Sequence, residues 1–191
     1  MKIKTAAAMG MALIMLLLSG CGGEDIVQTV DTLLSGSTAS EDGQLFTDTA
    51  AELGDALSAA KDYLSNMSFS AEELVDLLKF DGYTDEEARS AVDNCGADWK
   101  EQALSEAKEF ISSLALSHTG LIEQLEQNEY TAEEAAYAAD NCGANWKEQA
   151  LKWAKDHPEV ANMSRQELID KLVSEGFTEE EAEYGVSQFG Y

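Results

Sequence analysis

One twelve-residue string occurs twice in this chain with a single change: DNCGADWKEQAL from Asp93 and DNCGANWKEQAL from Asp140. Cys95 and Cys142 therefore lie 47 positions apart. The same offset brings ALSAAKDYL at Ala56 into register with ALSEAKEFI at Ala103 and ALKWAKDHP at Ala150. Further along, ELVDLLKFDGYTDEEA from Glu73 aligns with GLIEQLEQNEYTAEEA from Gly120 and ELIDKLVSEGFTEEEA from Glu167. A period of this length, sustained over whole units, restricts the fold to a row of small modules, each touching only its neighbours. The recognisable copies run from about Ala56 to Tyr191, and the third lacks its last five positions.

Each copy reads as three helices. The first is amphipathic: in the middle copy Trp99, Ala103, Ala107, Phe110, Ile111 and Leu114 fall on one stripe. Asp98 and Asn145 stand before it as N-caps. The second begins at Ser70, Ser117 or Ser164, with Glu73 and Glu167 completing a capping box in the outer copies. Leu121, Ile122 and Leu125 mark its buried edge in the middle copy. Gly82 and Gly176 end it with the left-handed turn that glycine favours, whereas the middle copy has Glu129 there, at some energetic cost. The third helix opens with Thr84 and Glu87, Thr131 and Glu134, or Thr178 and Glu181, and ends at Gly96, Gly143 or Gly190. Tyr83, Tyr130 and Phe177, just before each threonine, are expected to plug a small core. Pro158 occupies the slot of Leu64 and Ile111, so the helix from Trp146 is expected to stop or kink near His157. The fold class is thus all-α: three tandem helix-turn-helix-like repeats of three short helices each, preceded by a signal peptide and a flexible tether.

The expectation of a leader comes from the N-terminus. Lys2 and Lys4 precede the apolar run AAAMGMALIMLLL, and LSGC at Leu18–Cys21 closes it with small residues before a cysteine. This is the layout of a bacterial lipoprotein signal peptide over 1–20, too short to read as a spanning helix. Cys21 is the expected lipidation site. Its thiol would carry a diacylglyceryl group with acyl chains such as palmitate, and two chains anchor stably where one is marginal. Residues 21–47 read as the lipidated N-terminus and a flexible tether, with a short helix conceivable in IVQTVDTLL; about 25 flexible residues span roughly 25–30 Å. The repeats then divide as 48–102, 103–149 and a truncated 150–191. The expected setting is the extracellular face of the membrane of a Gram-positive-type bacterium.

The cysteines invite a catalytic or metal-binding reading, which the third copy opposes. Phe189 fills the slot of Cys95 and Cys142, and phenylalanine neither ligates metal nor attacks a carbonyl. What the three share is an apolar body at a helix end, so the thiols read as small buried hydrophobes. Only two histidines exist, His118 and His157, at non-equivalent positions. Clustered zinc ligands, the alternating acids of a calcium loop and phosphate-cradling glycine loops are all absent from the sequence. No enzyme activity, metal or other cofactor is expected.

Charge bounds the partners. Asp and Glu outnumber Lys and Arg by 37 to 12, a formal charge of −25. Such a surface repels phosphate backbones, so nucleic acid is not an expected partner despite the helix-turn-helix shape. It suits a basic or amphipathic protein, or simply keeps the molecule soluble. Mutual repulsion of such surfaces favours a monomer.

The stretch GLIEQLEQNEYTAEEAAYAADNCGANWKEQA from Gly120 closely resembles the repeat of the Ltp family of host-cell-surface-exposed lipoproteins. ELVDLLKFDGYTDEEARSAVDNCGADWKEQA and ELIDKLVSEGFTEEEAEYGVSQFG are looser copies, so the resemblance covers Ala56–Tyr191. It implies helix-turn-helix-like repeats, a lipobox and tether, and a home in Gram-positive bacteria or their phages. Some prophage-encoded members act in superinfection exclusion, which makes hindrance of phage DNA entry the expected role, through capture of a phage protein. The alternative is a general structural or adhesive surface lipoprotein. The chain departs from the family in lacking glycine at 129 and in carrying Pro158. Outward positions Glu123, Glu126 and Glu133 of the middle unit are the candidate partner-binding acidic face. Glu134 is set aside for capping, and a merely solvated face is the plainer alternative.

Overall fold

The structure, a computed structural model, describes residues 42–190. The signal peptide expected over 1–20, Cys21, the IVQTVDTLL segment and the tether up to residue 41 lie outside the described residues. The first helix, α1 (Asp42–Asn66), begins inside the segment 21–47 expected as tether. It is followed by α2 (Ala71–Phe80) and α3 (Asp85–Asn94). The second unit repeats the pattern with α4 (Trp99–Ser113), α5 (His118–Gln127) and α6 (Ala132–Asn141). The third has α7 (Trp146–Asp156), α8 (Arg165–Ser174) and α9 (Glu179–Phe189). Every described element is helical, and the three helix-turn-helix-like units follow one another along the chain.

Caps set the boundaries. Ser70, Ser117 and Ser164 have extended backbone, and each hydroxyl accepts the N–H three residues on, from Glu73, Gly120 and Glu167. Thr84, Thr131 and Thr178 do the same for Glu87, Glu134 and Glu181, whose carboxylates reach back to the threonine N–H. Losing such a cap costs about 1 kcal/mol. That is a large share of what holds a ten-residue helix, which is marginal in isolation. Before each third helix the chain reverses through a left-handed residue: Gly82 at φ 105°, Gly176 at φ 89° and, in the middle unit, Glu129 at φ 65°. A side chain in that conformation costs roughly 1–2 kcal/mol, so the expected penalty at Glu129 is present.

The units keep separate cores built from equivalent positions. Ala56, Ala103 and Ala150 are fully buried, as are Leu74, Leu121 and Leu168, then Leu78, Leu125 and Leu172, then Ala88, Ala135 and Ala182. In each unit the first and third helices pack most extensively on each other, α1 on α3, α4 on α6 and α7 on α9. Alanines line these contacts and let the helices approach. Where units one and two have Ala91 and Ala138, the third has Gly185, whose added Cβ would sit 3.0 Å from the backbone of Ala150 and Leu151. Neighbouring units are also linked: Trp99, opening α4, packs on the first core, and Trp146, opening α7, on the second.

Two expectations need correction or refinement, and a third holds. The stripe on α4 is narrower than its periodicity suggests. Ala103, Leu104 and Ala107 are buried, Phe110 and Ile111 only partly so, and Leu114 lies past the helix end at 44 % exposure. The partner helix α6 has ten residues against fifteen in α4, about 15 Å against about 22 Å of length, so the distal turn of α4 goes uncovered. Of the three aromatic plugs, Tyr130 and Phe177 are buried but Tyr83 is only partly so. At Pro158 the prediction holds: α7 stops at Asp156, and Pro158–Asn162 form a 3-10 turn that tucks Val160 into the third core.

Candidate functional site

The reactive side chains are held in structural contacts. The thiol of Cys95 donates to the Val92 carbonyl at 3.1 Å and that of Cys142 to Ala139 at 3.3 Å, closing the ends of α3 and α6. Both cysteines are free; Cys142 is buried and Cys95 half-buried. Phe189, in the same slot, packs on the third core. His118 meets Asp140 at 2.9 Å, and its ring stands edge-on to Trp146 at 5.2 Å. His157 lies 2.7 Å from the Trp153 carbonyl and stacks on the Trp153 ring at 3.8 Å. Among the described residues, no group of three His, Cys, Asp or Glu side chains is gathered to hold a metal ion.

The outer surface is carboxylate, and part of it is already used. In the second unit Lys100 pairs with Glu133 at 2.7 Å, and the Tyr137 hydroxyl donates to Glu101 at 3.2 Å. The third unit repeats this clamp with Lys147 on Glu180 at 2.7 Å and Tyr184 on Glu148 at 2.7 Å. Both clamps tie the first turn of the long helix to the third helix. The first unit has Leu53, Gly54, Glu86 and Ser90 at these positions and so cannot form one. Of the three candidate acids, Glu133 is therefore exposed but held by Lys100, whose ammonium keeps its carboxyl below the usual range. Glu123 and Glu126 are exposed, one turn apart on α5, and form no ion pair among the described residues. The structure thus leaves two of the three open.

Glu123 also borders a cleft of about 300 Å³ at the junction of the second and third units, lined by Ser117, Thr119, Gln124, Trp153 and Glu175. Polar bonds tie this junction. The Ser117 hydroxyl donates to the Glu175 carbonyl at 2.7 Å and that of Thr119 to the Gly176 carbonyl at 3.0 Å. Gln149 donates to the Ile111 carbonyl, and the Lys152 ammonium to those of Ser112 and Leu114, filling acceptors that the end of α4 leaves open. Glu175 is paired with Lys171, which also lies over the Trp153 ring. Sequence reasoning missed this junction. Its signal was visible, though, in the two places where the middle and third copies break the repeat: Gly120 for glutamate and Trp153 for Glu106.

The junction of the first and second units uses the same positions with other residues. Here Ser70 and Glu73 of α2 face Glu106 of α4 and the turn Asn128–Tyr130. The Glu73 carboxylate accepts the Ser70 N–H at 3.1 Å, and Asn128 donates to Glu106 at 2.5 Å. The other Glu106 oxygen and the Tyr130 hydroxyl are buried and lie near each other, short of good hydrogen-bond geometry. Burial pushes the Glu73 carboxyl up to about 7, with the Glu106 and Glu129 carboxylates adding to the effect. Burial likewise raises Glu106, opposed by the Tyr130 hydroxyl and Asn128 beside it.

Comparison with known proteins bears on what such an array is. The family model of host cell surface-exposed lipoproteins matches three times, at residues 51–95, 98–142 and 145–189. No curated protein matches the chain. A similar solved structure is that of Ltp, a superinfection exclusion protein from the Streptococcus thermophilus temperate phage TP-J34. It is 36 % identical, with 46 % of this chain and 92 % of that chain covered, at a TM-score of 0.43. Each family match spans one three-helix unit, and together they take in nearly all of the described chain. The chain belongs to the family of host cell surface-exposed lipoproteins.

Proposed function

We propose that this surface lipoprotein is a non-enzymatic protein-binding module, anchored through acylated Cys21 outside the membrane of a Gram-positive-type cell. There it hinders entry of DNA from superinfecting phage. One observation carries the reading most: the surface-lipoprotein family repeats three times over an array whose thiols and histidines are committed to packing. What is left facing outward is carboxylate. Among the described residues no helix is long and apolar enough to cross a membrane, which suits a protein held by acyl chains. The ligand is a basic or amphipathic protein segment, met first by long-range attraction and then at the open acids Glu123 and Glu126 of α5. DNA itself is not the ligand, because a surface of charge −25 repels phosphates.

The test is expression in a susceptible host followed by phage challenge. Normal adsorption with blocked DNA entry supports the reading, and unchanged plating for every phage tried refutes it in favour of a structural or adhesive role. Cys21→Ala is expected to release the protein from the membrane and abolish protection. Protection that survives full release would contradict the anchored mechanism.

A further inference from the structure

The two junctions occupy equivalent positions and differ in one physical respect. Between the second and third units, Gly120, Trp153, the Lys171-paired Glu175, Gly176 and Phe177 fill the slots, and no carboxylate there is both buried and without a cation. Between the first and second units the same slots hold Glu73, Glu106, Asn128, Glu129 and Tyr130. The groups converging on Glu73 come from α4 and from the turn before α6, and both supply carboxylates, Glu106 and Glu129. Glu109 acts on Glu106, and Glu134 on the Tyr130 hydroxyl. No lysine or arginine of the described residues is paired with Glu73, Glu106 or Glu129. The environment is specific to this junction. Glu167, in the same capping box of the third unit, is exposed, and its carboxyl lies below the usual range through its bonds with Ser164.

We propose that the joint between the first and second units is proton-dependent: Glu73 and Glu106 are brought together there without a basic partner, and closure of the joint requires a proton on this pair. Two half-buried anions, one of them with an oxygen that lacks a hydrogen-bond partner, repel each other, and a proton on either carboxyl removes the repulsion. The sign follows from Glu73, whose carboxyl rises from 4.5 to about 7 in the closed joint. Closure is fully supported below about pH 4.5, weakens as pH rises towards 7, and has lost this contribution above it. The second joint, where the one carboxylate in these slots is paired with Lys171, stays closed throughout.

A backbone reporter crosses the joint: the Phe69 N–H donates to Gln102 of α4 at 3.4 Å. The experiment follows hydrogen exchange of that amide in the full chain in detergent micelles from pH 4.5 to 8, beside a carbon-13 titration of the glutamate carboxyls. Phe69 protection, corrected for intrinsic exchange, is expected to fall about tenfold to a hundredfold as pH rises, less than the full carboxyl shift allows because Glu73 is partly solvated. One carboxyl should titrate near 7. Glu73→Gln keeps an oxygen for the Ser70 N–H and should hold Phe69 protection flat across this range, as should Glu106→Gln if the first variant folds poorly. An ordinary midpoint near 4.5 for every glutamate, or a pH-dependent Phe69 amide that persists in both variants, would overturn the proposal.

Discussion

Gly176 should be the least replaceable turn residue in the array, and Gly82 provides the control. Both have positive φ, 89° and 105°, and both end the second helix of their unit. A Cβ added at Gly82 meets nothing within 4 Å, so Gly82→Ala carries the backbone penalty alone. That is roughly 1–2 kcal/mol, reduced by about 0.5 kcal/mol because the unfolded chain also loses freedom. At Gly176 the same Cβ would lie 2.1 Å from the Thr119 hydroxyl oxygen and 2.7 Å from that of Ser117. Neither distance is tolerable, so both side chains must turn away. Thr119 then gives up the Gly176 carbonyl and Ser117 the Glu175 carbonyl, with Ser117 left at 2 % exposure and its cap on Gly120 disturbed. Each lost bond is worth about 1 kcal/mol, more where the group stays buried. Gly176→Ala should therefore cost about 3–5 kcal/mol against about 1 kcal/mol for Gly82→Ala. In a linear array this opening is local as well as global, so it is best read by hydrogen exchange at the Gly176 and Phe177 amides, which donate to Val173 and Leu172. Urea unfolding followed by circular dichroism reports the total. In a Thr119→Ala background part of the Gly176→Ala penalty should vanish. Equal losses for the two glycine variants would show that the contact across the second junction does not exist.

Other consequences are simpler to check. Glu129→Gly should raise stability by about 0.5–1 kcal/mol, since relief of the left-handed strain exceeds the added chain entropy, and thermal unfolding should show a higher midpoint. Glu133, Glu167 and Glu180 have carboxyls held below the usual range by Lys100, Ser164 and Lys147. Their contributions are present above pH 4.5 and are lost as pH falls further, so Glu167→Gln should flatten the acid limb of an unfolding titration. An aromatic disulfide reagent should modify half-buried Cys95 in the native protein well before buried Cys142, and both at one rate in denaturant.

How much of this was legible in the sequence depends on distance along the chain. Caps act within three or four residues, so Ser70, Thr84, Asp98 and their equivalents could be read directly, as could the turn glycines and the stop at Pro158. The buried positions came out of the same periodicity wherever a partner helix covers them. The stripe failed at Leu114 because periodicity records which way a side chain points, not where the covering helix ends. Glu123, Glu126 and Glu133 were correctly placed outside, but the reach of Lys100 to Glu133 spans 33 positions, and no local rule supplies it. The junctions were hidden for the same reason. Still, repeat comparison holds a usable signal for them: the copies break the pattern at Gly120, Glu106 and Trp153, and all three positions lie at a junction.

That signal explains why the copies differ where they do. A three-helix unit of this size buries a handful of alanines and leucines and is marginal alone, so its persistence depends on its neighbours. If every junction were built alike, the row would behave as one stiff rod. Here Trp99 and Trp146 cover the preceding cores in the same manner at both joints, which fixes the common part of the coupling. The remainder is set by a few polar positions, and they diverge in opposite directions. Hydroxyls and an ammonium donating to carbonyls tie units two and three, whereas carboxylates that repel one another lie between units one and two. Since the side-chain clamp of lysine and tyrosine is also missing from the first unit, that unit should be the first to open under denaturant. The second and third should unfold together at higher concentration, with Trp153 as their reporter. A single cooperative transition in which α2 and α8 amides exchange at one rate would contradict this division.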